Sequence, residues 1–300
     1  MLIEKKIPLN RIIQNTWKNV LVVTVYSTII TVANQYYGQD YLKFPSTIPG
    51  IMGTALSLFL GFRTNSAYDR WWEARKIWGS IVNDSRTLAR QAVTFLGSAD
   101  HKNAEEIKTI VYRQICWCYS LAGTLRKQPL GKYFKEFLNE EEIAGISGNT
   151  NRPNALLQKQ EVHLKKLQQQ GEMHMFELMK MDETLRRLCD SMGKCERIKN
   201  TVFPTQYSFF IHFFIMVFIF ILPFGMVDYA KYFTIPLTGL LAFIFLMIET
   251  IEVLLQDPFE DRSNDTPMTA LSRTIEINLK QQLGEMDTPP AITPKQGVLM

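Results

Sequence analysis

The sequence predicts an all-α membrane protein, with four membrane helices continuous with a large charged helical region. Three observations predict it. The hydrophobic residues, 46% of the 300, are gathered into blocks rather than spread along the chain. Residues 19–39, 202–227 and 232–248 contain no Asp, Glu, Lys or Arg. Between 63 and 201, apolar residues recur at three- and four-residue spacing among many charges, which is a helical pattern.

The first membrane segment, 17–37, has Lys5, Lys6, Arg11 and Lys18 around its start, as a secretory signal would. It is long, however, and 33–37 (ANQYY) is a poor small-residue cleavage site, so it reads as a retained helix. Trp17 and the pair Tyr36 and Tyr37 sit where interfacial aromatic belts form. The second segment, 48–62, is uncharged but short, since spanning a bilayer takes roughly 20 residues. It carries Pro49, Gly50, Gly53, Ser57 and Gly61. Such small residues suit a helix packed against copies of itself or lining a narrow passage. The third and fourth segments, 202–226 and 232–248, are joined by a short turn holding Asp228 and Lys231. Basic residues collect before the first segment and after the second, at Arg63, Arg70, Arg75 and Lys76. The positive-inside rule therefore places both termini and residues 63–201 in the cytoplasm, in a multi-pass inner-membrane protein.

Within 63–201, residues 68–95 and 104–126 read as helices, 145–154 as a loop and 161–199 as one or two helices. Residues 257–266 form an acidic turn, 270–283 a helix, and 286–300, with three prolines, a disordered tail. The second segment runs unbroken into the charged helix, so 1–269 reads as one domain and 270–300 as a C-terminal helix and tail.

Composition limits the function classes. A net charge of +4 does not point to nucleic acid. Four cysteines fit a reducing cytoplasm rather than a disulfide framework. Cys116, Cys118, Cys189 and Cys195 lack zinc-site spacing, and the histidines (His101, His163, His174, His212) are scattered. No phosphate loop, nucleophile elbow or metalloprotease motif is present, so neither an enzyme nor a resident cofactor is expected.

Three features resemble the bestrophin family: Leu60-Gly61-Phe62 followed by Arg70-Trp71-Trp72-Glu73; Phe203-Pro204-Thr205-Gln206-Tyr207 opening the third segment; and Asp257-Pro258-Phe259 after the fourth. Their order and spacing extend over most of 12–265. The resemblance implies a homopentameric, bestrophin-like channel domain passing monovalent ions through a central pore within membrane lipid. Animal members conduct chloride, and bacterial relatives can favour sodium or potassium. Carried over by motif, the hydrophobic neck is Thr54, Leu58 and Phe62, and the cytosolic constriction is Phe203. Family members usually have aliphatic or aromatic residues at all three neck levels, so Thr54 departs from the pattern and makes the outer ring wetter.

The residues support the neck without the resemblance. Thr54, Leu58 and Phe62 are spaced i, i+4, i+8 and share one helix face, while Gly53, Ser57 and Gly61 share the adjacent one. Rings of Leu and Phe around a narrow passage gate by dewetting. Ordinary helix packing is the competing reading of the same stripe. Arg70, Trp71, Trp72 and Glu73 read either as a coupling zone to the neck or as a packed interface with ion pairs. Asp69 and Glu73, like charges at i, i+4, call for cationic partners.

Asp257, Asp261 and Asp265 resemble the acidic loop that binds calcium in animal bestrophins, but Arg262 interrupts it and a capped, solvated turn is the competing reading. His212 lies inside the third segment and is read as neutral and hydrogen-bonded to a neighbouring helix, with permeation as the functional alternative. Glu249 and Glu252 are expected to pair with arginines after the second segment. A membrane-anchored scaffold acting through its cytosolic helices is the alternative function.

Overall fold

The structure is a computed structural model and describes residues 9–37, 45–97, 102–201, 204–294 and 297–299. Among these, the elements are ten α-helices and one 3₁₀ turn, with no strand. In chain order the helices are α1 (Leu9–Tyr37), α2 (Thr47–Leu96), α3 (Ala104–Arg126), α4 (Gly131–Phe137), α5 (Glu140–Ser147), α6 (Arg152–Gln169), α7 (Met175–Asn200), α8 (Thr205–Ala230), α9 (Thr234–Gln256) and α10 (Met268–Gln282). The 3₁₀ turn, Lys231–Phe233, joins α8 to α9. The chain divides into two units: a membrane unit of 5–70 and 202–256, and a bundle unit built mainly of 71–201 and 257–300.

In the membrane unit, Thr16–Tyr37 and Gln206–Gln256 are long and apolar enough to cross a membrane, and the second folds as two helices. The uncharged start of α2 does not meet that length, as its sequence implied. The core joins Leu56 and Leu60 of α2 to Ile211, Ile215 and Phe218 of α8 and Ala242 and Leu246 of α9. α1 packs along α9 through a seam of small polar residues. Ser27, Thr31 and Asn34 of α1 and Thr234 and Thr238 of α9 are all buried. Gly239 sets the spacing, since a Cβ there would lie 3.0 Å from Thr24 Oγ1. Small residues allow such approach in lipid, where helices gain little from apolar burial alone. At the other close approach, a Cβ on Gly225 of α8 would lie 2.5 Å from Pro49 Cγ of α2.

In the bundle unit, α3 is the central helix and packs against α4, α6, α7 and α10. Trp117, Ile115 and Leu121 of α3 share a core with Trp78 and Leu88 of α2, Leu188 of α7 and Ile275 of α10. The expected loop at 145–154 is shorter than composition suggested. α5 runs through Ser147, and α6 starts at Arg152. The Asn and Pro that read as turn residues are instead a helix start: Asn151 Oδ1 accepts from the Asn154 N–H at 3.0 Å, and Pro153 occupies the first turn. α9 likewise runs past residue 248 to Gln256, because the carboxylates on that stretch find partners within the unit. The helix expected at 270–283 is α10, and residues 285–294 carry no helix.

Candidate ion pathway

Thr54, Leu58 and Phe62 lie on one exposed face of α2. Leu58 is 58% and Phe62 61% exposed, whereas Leu56 and Leu60 on the opposite face are buried. A large apolar stripe is thus left bare on the helix with the most small residues. Beside it runs a groove of ≈ 530 Å³ lined by Pro49, Gly53, Ser57, Phe218, Leu222 and Tyr229. The hydroxyls on this stretch are spent locally. Thr54 Oγ1 donates to the Gly50 carbonyl at 3.0 Å and Ser57 Oγ to the Gly53 carbonyl at 2.8 Å. Thr54 therefore presents its methyl group and oxygen lone pairs, with no free proton to donate. Phe203, expected at a second constriction, lies outside the described residues, as do His101 and the connection at 38–44.

Immediately after Phe62 the chain turns from apolar to charged, and Arg63 points the other way. Its side chain is 1% exposed and forms an ion pair with Glu252 of α9, itself 0% exposed. A second guanidinium nitrogen donates to Ser208 Oγ of α8 at 2.8 Å. One side chain thus ties three helices together. Breaking a buried pair by removing one partner typically costs about 3–5 kcal/mol, because the remaining charge stays buried. The expected pairing of Glu252 with an arginine is present; Glu249 instead meets His212 of α8, Nδ1 to Oε1, at 2.9 Å. His212 is exposed and hydrogen-bonded to the neighbouring helix. Ser208 was not singled out by sequence reasoning, although it precedes His212 by one turn and so shares its face.

Asp69 is exposed, and the cationic partner expected for it is not found among the described residues. Glu73, in the bundle unit, does find one: Arg197 Nη2 reaches its Oε1 at 2.7 Å. Trp71 Nε1 donates to the Asn264 carbonyl at 2.7 Å, and Trp71 stacks on Trp72 with ring centroids 6.1 Å apart. Arg70 is half-buried. Trp71 and Glu73 therefore use their polar groups within the chain.

The acidic turn is closed on itself. Buried Asp265 accepts the backbone N–H groups of Glu260 at 2.6 Å and Arg262 at 3.1 Å. Burial pushes its carboxyl above the ordinary range, against the pull of those two donors. Asp261 holds Arg126 at 3.0 Å, and Glu260 holds Lys199 at 2.5 Å. Arg126 and Lys199 lie far away in sequence, so no local pattern announced them. Among the described residues, no group of three or more His, Cys, Asp or Glu could hold a metal.

A further polar cluster sits between α3, α5 and α6. Arg113 pairs with Glu142 and is hydrogen-bonded to His163 Nδ1 at 3.2 Å, while His163 Nε2 meets Glu106 Oε2 at 2.7 Å. The geometry fits a neutral imidazole that accepts from Arg113 and donates to Glu106. Burial, then the Arg113 charge, hold the His163 pKa below its ordinary value.

The model of the family described as Bacterial/Fungal Bestrophin protein matches residues 7–281. The chain belongs to the bacterial/fungal bestrophin family. The match runs into α10 as far as residue 281, further than the motifs at 12–265 reach. The chain is 29% identical to a voltage-dependent anion channel-forming protein of Mesorhizobium japonicum, over 91% of this chain and 85% of that one. It is 28% identical to the voltage-dependent anion channel-forming protein YneE of Escherichia coli, over 90% and 87%. A crystal structure of a bacterial bestrophin homolog from Klebsiella pneumoniae matches with a TM-score of 0.83 at 28% identity, covering 89% of this bestrophin and 98% of that chain.

Proposed function

We propose that this bestrophin channel conducts monovalent anions passively, through a neck that several copies of α2 build from Thr54, Leu58 and Phe62. The observation that carries the reading is the bare stripe itself. A single subunit leaves Leu58 and Phe62 uncovered on a helix whose opposite face, at Leu56 and Leu60, is buried. Copies arranged around an axis would turn each residue into a ring, five-membered by the family resemblance. Such rings are a barrier when narrow and permissive when slightly widened. The placement of the segments in an inner membrane with both termini cytoplasmic follows the distribution of basic residues. Arg70, Trp71, Trp72 and Glu73 would then belong to a packed interface with ion pairs, of which Glu73–Arg197 is one. The acidic turn acts as a structural corner, because Asp265 is committed to backbone donors and Asp261 to Arg126. Calcium at Asp257, Asp261 and Asp265 has no part in this reading. A scaffold without conduction would leave ion flux indifferent to Leu58 and Phe62.

Anions are favoured by the names of the relatives. A cation reading is favoured by two features of the chain. Thr54 offers only acceptor oxygen, and exposed Asp69 lies seven residues beyond Phe62, close to the same face. Rings of acidic side chains select cations. Reversal potential in a planar bilayer across a KCl gradient decides the matter. A shift toward the chloride potential is expected, and a shift toward the potassium potential would overturn the anion reading in favour of the cation one.

A further inference from the structure

We propose that the Arg63–Glu252 pair is the positioning element of the neck: it sets the rotation of α2 and so how far Phe62 projects toward the ion path. The inference rests on Phe62 being a neck residue.

Phe62 and Arg63 are consecutive on one helix, so their side chains leave it about 100° apart. Phe62 is 61% exposed and Arg63 2%. Rotating α2 to carry Phe62 away from the path would drag Arg63 out of its site. That site is built from two other helices. Glu252 of α9 supplies the charge and Ser208 of α8 the second acceptor. A planar guanidinium serves two acceptors at once, whereas an ammonium acts as a compact point charge. Arg63 and Glu252 are both buried beside the core that joins Leu60 of α2, Ile211 of α8 and Leu246 of α9, with the Glu249–His212 pair on the same two helices α8 and α9. In such a medium the two charges cannot separate cheaply, so α2 has one favoured rotation. α2 is helical without interruption through this point, and Ser66 Oγ donates to the Phe62 carbonyl at 3.0 Å. The constraint on Arg63 therefore reaches Phe62 through one rigid turn. Movement of α8 or α9 would reach the neck by the same route.

The test uses the full chain, purified and reconstituted in planar bilayers. Glu252→Gln keeps the size of the side chain and removes its charge. Assembly is checked by size-exclusion chromatography, and then single-channel conductance, open probability and relative permeability to small and large ions are measured. A change of about two- to thirtyfold in open probability or in the permeability of large ions is expected in assembled protein. The exchanged pair, Arg63→Glu with Glu252→Arg, should move these values back toward the parent. A merely structural pair would lower thermal stability and leave the assembled channel's permeation unchanged, and that outcome overturns the proposal. If Glu252→Gln does not assemble, Arg63→Lys decides, since it keeps the charge and loses the fork. Altered permeation supports the proposal, and parent-like permeation overturns it. Phe62→Ala belongs in the same series. If Phe62→Ala conducts like the parent, the neck reading fails. If it alters conduction while Glu252→Gln does not, only the positioning role fails.

Discussion

Leu21, Val25, Ile29, Leu58 and Phe62 lie on the outside of the membrane unit, and Arg63 and Glu252 lie within it. In the bundle unit Trp78, Trp117 and Leu121 are inside, and Glu161, Lys165 and Lys166 face outward. The two units obey the same physics with different solvents. Water covers charge in the bundle, so apolar area drives packing there. Where lipid would cover the apolar surface of α1, burial of apolar side chains gains little, and buried charges such as Arg63 and Glu252 pair with one another. The stripe on α2 fits neither solvent simply. Its length is short for lipid and its neighbours are small, which suits coverage by further copies of the chain.

The largest test of this contrast is a pair of truncations. In the bundle, Trp117→Ala removes a fully buried apolar side chain and should cost about 3–5 kcal/mol by denaturant unfolding. In the membrane unit, Glu252→Leu should cost a similar amount for the opposite reason, a stranded Arg63, with about 3–5 kcal/mol expected. Recovery of stability on adding Arg63→Leu to Glu252→Leu, with no such rescue available to Trp117→Ala, would mark the difference. Unchanged melting of Glu252→Leu would break it.

A smaller effect concerns pH and only the bundle. The folded His163 has a pKa below 6.5, so the unfolded chain takes up a proton first as pH falls. Its neutral-state stability is full above that value and declines as pH drops from 6.5 toward the folded pKa. Melting should be lower at about pH 5.5 than at about pH 7.5, and His163→Asn should flatten the slope. An unaltered slope in the variant would assign the dependence to other groups.

Leu58→Ala and Phe62→Ala should each raise single-channel conductance while changing subunit stability by no more than about 0.5 kcal/mol, because the side chains are exposed. Folded variants that conduct like the parent would remove the stripe from the ion path. The smallest expected effect is that of calcium removal. Chelation should leave conductance unchanged, and a loss of current would reopen the acidic turn as a binding site.

The membrane helices, the long α2 and the helix at 104–126 were legible because each rests on local pattern: uncharged runs or a 3.6-residue repeat. The stripe at Thr54, Leu58 and Phe62 was legible for the same reason, since i, i+4, i+8 spacing fixes a face whatever surrounds it. Arg63 with Glu252 could be anticipated, as acids at the end of an apolar run need cations, although Glu249 meets His212 instead. Ser208 beside Arg63, Arg126 beside Asp261 and the Arg113 cluster could not, because each joins residues that only tertiary packing brings together. The loop at 145–154 was overdrawn because cap residues and turn residues share a composition.

The seam between α1 and α9 has a consequence for synthesis. Ser27, Thr31 and Asn34 are buried on α1, which packs chiefly along α9, near the other end of the chain. At about 5–20 residues per second, α1 would leave the ribosome on the order of ten seconds or more before α9 exists. During that interval Ser27 and Asn34 lack the helix that packs over them, although Thr31 already donates within α1 to the Ser27 carbonyl, and α1 is the less apolar of the two candidate spans. Its hold on the bilayer would be provisional until translation is nearly complete. A ribosome that stalls before α9 would thus release a chain whose first helix is poorly anchored, an early mark by which quality-control proteases could recognise an unfinished subunit.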